Sequence, residues 1–172
     1  MAWRRALKTV IDATNRLFSF ACHALLGVIT IVTVMQVFLR FAVNSPTSWS
    51  EEVALLCLVW FGMLAVAIGI RRHEHVAITF LRDRLPEPAA VTLDYFAQLA
   101  MGLFMFVVML YGGDLIALAG AQVLPASLLP KYLLYLPALV GGGLGVVNAA
   151  VNILLRDVHR AETEIPEVVH VD

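Results

Sequence analysis

The stretch Asn44–Val76, NSPTSWSEEVALLCLVWFGMLAVAIGIRRHEHV, decides the fold class of this chain. It opens as a polar turn, sets Trp49 beside the adjacent carboxylates Glu51 and Glu52, runs apolar from Val53 to Ile70, and stops on Arg71 and Arg72. About 18 apolar residues at about 1.5 Å rise each suffice for one bilayer crossing. An acidic, aromatic end and a basic end therefore bracket one transmembrane helix.

The rest of the chain has the same character. Of 172 residues, 60% are hydrophobic and only 15% charged, too apolar for a soluble domain of this size. The expected class is an all-α integral membrane protein. No basic tract suggests nucleic-acid binding. Upstream, Leu17 to Leu39 run apolar with only Ser, Cys, His, Thr and Gln as polar interruptions. That run is longer than a signal-peptide core and no A-x-A-like cleavage site comes after it, so it reads as a retained first span. Arg4-Arg5 is no twin-arginine signal, because Asp12, Asn15 and Arg16 intervene before the apolar run.

Downstream, Pro86-Glu87-Pro88 breaks the chain before a third apolar segment with Asp94 near its start and Asp114 near its far end. Pro125 and Pro130 interrupt the chain beyond that segment, and a fourth run ends at Arg156 and Asp157. The expectation is a single membrane domain over residues 1–172, with spans at about 17–41, 50–71, 90–122 and 131–155 and a mobile cytoplasmic tail over 156–172. Cys22 and Cys57 fall toward opposite ends of an antiparallel pair of spans, beyond the roughly 7 Å that a disulfide tolerates. Both are expected to be free thiols.

Lys and Arg segregate. The N-terminal flank holds four, the segment Arg71–Arg84 four, and the tail Arg156 and Arg160, against only Arg40 and Lys131 on the other side. Positive residues mark the cytoplasm, which predicts both termini inside and places Trp49, Tyr132 and Tyr135 at the outer interface. Between the second and third spans, Val76, Ala77, Phe80, Leu81 and Leu85 recur at helical spacing over a segment too short to cross. This predicts a short amphipathic helix on the interface, in contact with membrane lipids.

Several side chains are candidates for specific contacts. Ser48-Trp49-Ser50-Glu51 fits a capping box, in which the Ser48 hydroxyl accepts from the Glu51 amide and the Glu51 carboxylate reaches back. Glu52 points about 100° away from Glu51 and needs another role, either capping and solvation or an ion pair with Arg40 or with a basic group on a partner protein. His73-Glu74-His75 alternates faces on a helix and lacks the HExxH spacing of a zinc site; headgroup contact, or contact of His75 with a loop, fits better. On the fourth span Gly141, Gly145, Asn148 and Asn152 form one small and polar stripe, expected to pack against another helix of this chain or of another subunit. Gln36 and Gln98 offer interhelical hydrogen bonds, with the lining of a substrate path as the sharper alternative.

The order Arg40-Phe41, Asn44-Ser45-Pro46, Trp49-Ser50-Glu51-Glu52, Trp60, Arg71, His75-Val76, Leu85-Pro86 resembles the small four-helix membrane subunit of tripartite ATP-independent periplasmic (TRAP) transporters, the DctQ-type subunit. Gln122, Pro125, Pro130, Tyr135 and Pro137 are similar to that family's third loop and fourth span. The resemblance implies a non-catalytic scaffold in the bacterial inner membrane, partnered by a large multi-span subunit and a periplasmic substrate-binding protein that delivers an organic acid. It implies no cofactor on this chain, with sodium bound by the large subunit.

Two other classes place different demands on the chain. A stand-alone four-helix transporter of the multidrug type needs a carboxylate deep in a span, where Glu51 and Glu52 do not lie. A haem-binding redox enzyme needs inward histidine pairs, and His23 is the sole histidine within the predicted spans.

Overall fold

The structure, a computed structural model, describes residues 2–45, 47–73 and 85–155. These form four α-helices: α1 (Ala2–Phe41), α2 (Trp49–Arg72), α3 (Glu87–Ala119) and α4 (Tyr132–Leu155). Each is long and apolar enough to cross a membrane. The chain is thus an all-helical, multi-pass membrane protein. The amphipathic helix expected between α2 and α3, His75 and the tail 156–172 lie outside the described residues.

Two helices have bounds that differ from the membrane spans expected within them. α1 starts at Ala2, not near Leu17, because its inner face continues upstream through Asn15 and half-buried Ile11 below Phe18 and Cys22. α3 closes at Ala119, not near Gln122, because the chain from Gly120 folds into a tight turn. In that turn the Lys131 amide donates to Gln122 O at 2.7 Å, the Leu124 amide to Leu129 O at 2.8 Å, and an isolated bridge joins Val123 to Pro130. His73 caps α2: its amide donates to Gly69 O, and its left-handed conformation (φ 56°) turns the chain out of the helix.

In space α1 packs on α2, α2 on α4, and α4 on α3. The order is therefore α1–α2–α4–α3, with α1 and α3 at the two ends. α4 is the hub: 44% of its most apolar window is buried inside the protein, against 11% for α1 and for α3. Cys22, Leu64, Ala67, Ile68 and Leu144 form one core where α1, α2 and α4 meet; Ile70, Met105 and Ala149 form another toward α3. Both cysteines are free.

Small residues let α4 take this position. A Cβ at Gly141 would stand 2.9 Å from the Met63 carbonyl oxygen on α2, and one at Gly145 would stand 2.7 Å from Met105 Cγ on α3. The Gly141 contact is with backbone, which has no room to yield. In a bilayer, where expulsion of water does not drive helices together, such close approach supplies stabilising van der Waals contact.

Pro137 adds a second constraint. Buried inside α4, it has no N–H for the Leu133 carbonyl one turn earlier. The Trp60 indole N–H of α2 donates to that carbonyl at 3.0 Å. A gap in one helix's own ladder thus becomes a cross-helix bond.

Gly141→Leu is expected to destabilise the fold by about 1–3 kcal/mol through overpacking. Gly143→Ala, whose Cβ would meet only Met109 Sδ at 3.7 Å, is expected to leave it unchanged. Thermal unfolding in detergent micelles reads both.

Candidate functional site

Each end of α2 anchors a group of polar contacts. At the acidic end, Ser48 sits in helical geometry (φ −77°, ψ −28°), so its hydroxyl makes no capping bond and the expected capping box does not form. The Ser50 hydroxyl instead donates to Thr47 O at 2.7 Å. Glu51 has a different job: its Oε1 accepts from Gln36 Nε2 of α1 at 3.0 Å.

Glu52 turns the other way. Its Oε1 accepts the Ala126 amide at 3.0 Å, and its Oε2 accepts the Ser127 amide at 2.7 Å and the Ser127 hydroxyl at 2.6 Å. The carboxylate therefore holds the tip of the α3–α4 turn. Of the alternatives open to Glu52, the pairing with Arg40 is not the one formed; the Arg40 guanidinium lies over the Phe41 ring at 5.8 Å. The geometry reflects the 100° step between adjacent helical residues: Glu51 reaches the α1 side and Glu52 the turn.

At the basic end a buried layer joins all four helices. Arg71, 8% exposed, donates from Nε to Asp12 Oδ1 at 2.9 Å, with Nη2 2.8 Å from the same oxygen, and from Nη1 to Asn152 Oδ1. Asn152 Nδ2 donates to Ile70 O at 2.9 Å, satisfying one of the last carbonyls of α2. Gln98 of α3 lies 3.0 Å from His73 Nδ1 and 3.4 Å from both Ile70 O and Asn152 Nδ2. One turn further in, Asn15 and Asn148 exchange reciprocal amide bonds at 2.8 Å, and Asn148 also donates to Ala67 O at 2.8 Å. Beyond the layer, Arg4 Nη2 donates to Leu155 O, the end of α4, at 2.8 Å.

These contacts fasten helices. Among the described residues no three His, Cys, Asp or Glu side chains gather as a metal site would require.

A family model for the DctQ component of tripartite ATP-independent periplasmic transporters matches residues 29–159. The chain belongs to this family. It is 33% identical over 95 residues to the sialic acid TRAP transporter small permease protein SiaQ of Vibrio cholerae, covering 55% of each chain. It is 35% identical over 81 residues to the sialic acid TRAP transporter permease protein SiaT of Haemophilus influenzae, covering 47% of this chain and 13% of that longer one. A C4-dicarboxylate TRAP transporter small permease protein, DctQ of Vibrio cholerae, is 23% identical over 73 residues, covering 42% of this chain and 32% of the other. The alignments thus span about half of SiaQ and a small part of SiaT. The relatives are transport components, not enzymes.

Set on this DctQ-family chain, the candidate residues divide. Arg71, Asn148 and Asn152 meet in the buried layer, and Gly141 and Gly145 pack on α2 and α3. Trp60 bridges to α4. Glu51 and Glu52 serve the opposite end, where Trp49 is 41% exposed. Sequence reasoning misses Asp12, Asn15, Ala126 and Ser127. Asp12 and Asn15 read as interruptions in a basic flank, yet Asn15, Phe18, Cys22 and Leu25 share one helical row, and extending that row upstream of Leu17 finds Asn15.

Removing Arg71 takes away the N–H donors that Asp12 Oδ1 and Asn152 Oδ1 accept from. Arg71→Ala is expected to cost about 1–3 kcal/mol, below the roughly 3–5 of a fully buried pair because Asp12 is 44% exposed. In Asp12→Ala/Arg71→Ala the loss should be smaller than the sum of the single changes, a non-additivity that denaturant unfolding measures. At the other end, Glu52→Ala is expected to accelerate amide hydrogen exchange at Ala126 and Ser127 by at least about tenfold, whereas Arg40→Ala leaves it unchanged.

Proposed function

We propose that this chain is the small, non-catalytic membrane subunit of a sodium-driven, binding-protein-dependent importer of an organic acid. It braces the fixed part of a large multi-span permease subunit in the bacterial inner membrane, with both termini cytoplasmic. The Trp49 and Ser127 end faces outward and helps receive the periplasmic binding protein.

One observation carries this reading. Asn15, Arg71, Gln98, Asn148 and Asn152, all buried, each bond to another helix of the same chain. Polar groups committed to holding helices together form a rigid body and are not arranged to bind and release a solute. Glu51 and Glu52, which a proton-coupled multidrug carrier would need within a span, are engaged at the start of α2.

Other parts of the reading have their own support. SiaT, in which the matched segment is 13% of one longer permease, supports action beside a larger permease. The relatives named for sialic acid and C4-dicarboxylate support an organic acid as solute. Segregation of Lys and Arg to the Arg71 side supports the orientation. Sodium belongs to the large subunit.

Proteoliposomes give the test. Uptake of the organic acid is expected only when this chain, the large permease, the binding protein and an inward sodium gradient are all present. Uptake by this chain alone would overturn the proposal.

A further inference from the structure

α1 carries two rows on opposite sides, the inner one apolar beyond Asn15 and the outer one apolar throughout. The inner row, Asn15, Phe18, Cys22, Leu25, Ile29 and Val32, faces the rest of the chain, with Asn15, Cys22 and Val32 buried. The outer row begins at Trp3 and advances by alternating steps of three and four to Phe41, without a charged or polar residue at any position. Its first heptad position holds Trp3, Val10, Leu17, Ala24, Ile31 and Phe38; the second holds alanine, phenylalanine, glycine and valine. Two residues separate the inner and outer rows, about 200° around the helix.

Three observations mark the outer row as a seat for a helix. Its large side chains are all 61–74% exposed, whereas Leu26, Val28 and Val37 beside it are 42–52% exposed. Its 3.5-residue repeat is the period of helix-on-helix packing, and the inner row, which meets α2, has the same period. A lipid-facing surface requires apolarity but no such repeat, and adjacent exposed positions do carry Arg16, His23, Thr30 and Thr33.

The third observation is length. From Trp3 to Phe41 the row extends about 57 Å at 1.5 Å per residue, against a hydrocarbon thickness of about 30 Å. Lipid tails cannot cover all of it. Trp3 and Val10 lie on the far side of the Asp12–Arg71 layer from the apolar span, on the segment that also carries Arg4, Arg5 and Lys8.

A second copy of this chain is a poor occupant. Two copies inserted with one topology meet in parallel about a twofold axis, which sets like on like along the row. Trp3 would face Trp3, Phe38 would face Phe38, and Gly27 would face Gly27, giving collisions at some levels and voids at others. A different helix, bulky opposite Ala6, Ala13, Ala24 and Gly27 and small opposite the aromatics, would interlock.

We infer that the outer row of α1 seats one long apolar helix of the large permease subunit, continuing past the hydrocarbon along Trp3 to Ala13. This rests on the proposed role as the small subunit of a transporter. The matched segment of SiaT lies within a single longer permease chain, which favours a permease helix as the neighbour.

The test uses the complex co-expressed in its own membrane, with a photo-crosslinking residue at Val10 or Ile31. The expected product from both positions is one adduct with the large permease. An adduct with a second copy of this chain, or no protein adduct at Val10, overturns the inference. Ala13→Trp and Ala24→Trp supply an independent readout, since both positions are exposed and the isolated chain should keep its melting temperature. Each is expected to reduce co-purified large permease at least tenfold, and unchanged co-purification overturns the inference. If the unmodified chain fails to co-purify with any large permease, the small-subunit reading itself falls, and this inference with it.

Discussion

Hydrocarbon offers no water, so a polar side chain in a membrane helix must find its partner in the protein. Arg71 concentrates that constraint. A guanidinium that is 8% exposed at the end of α2 is held by Asp12, which neutralises it, and by Asn152, which accepts from Nη1. Asn152 in turn closes the carbonyl of Ile70 and meets Gln98, so one charge draws α1, α2, α3 and α4 to a common level. The Asn15–Asn148 exchange one turn inward repeats the device without charge. Paired amides have a further use here: each offers both donor and acceptor, so the two bond reciprocally, and their second N–H hydrogens go to the Ile11 and Ala67 carbonyls.

The opposite end of α2 solves a different problem. There the helices must be tied to a turn, whose free backbone amides demand acceptors. Glu52 supplies two oxygens to Ala126 and Ser127, while Glu51 goes to Gln36 on α1. Adjacent carboxylates therefore serve different neighbours, which a single acid could not reach. Between the two ends the middle of the array relies on shape: Gly141 against Met63, Gly145 against Met105, and the Trp60 indole in the gap that Pro137 leaves.

Four helices are legible in the sequence because length and apolarity suffice to define a bilayer crossing. The stripe of Gly141, Gly145, Asn148 and Asn152 is legible for a related reason: small and amide residues stand out against an apolar background. Partner identity is not. Opposite charge points Glu52 to Arg40, whereas neutral amides 74 and 75 residues away take the carboxylate. The capping box at Ser48 fails because the pattern S-x-x-E does not fix backbone dihedrals, and Ser48 already lies in the helical region. Asp12 and Asn15 are hidden by the basic residues around them, which read as a flank and not as a continuation of the helix.

The arrangement divides its polar and apolar work in a way that suits a brace. van der Waals contact alone lets helices slide along their axes, because apolar ridges repeat every turn. Hydrogen bonds with fixed partners do not repeat, so a polar layer at one end and a carboxylate clamp at the other set both the height and the rotation of α2 against its neighbours. α1 is fixed only along its inner row and stands at one edge of the order α1–α2–α4–α3. A long helix held this firmly on one side, with a second repeating apolar row on the other, can pass rigidity from this chain to whatever packs against it.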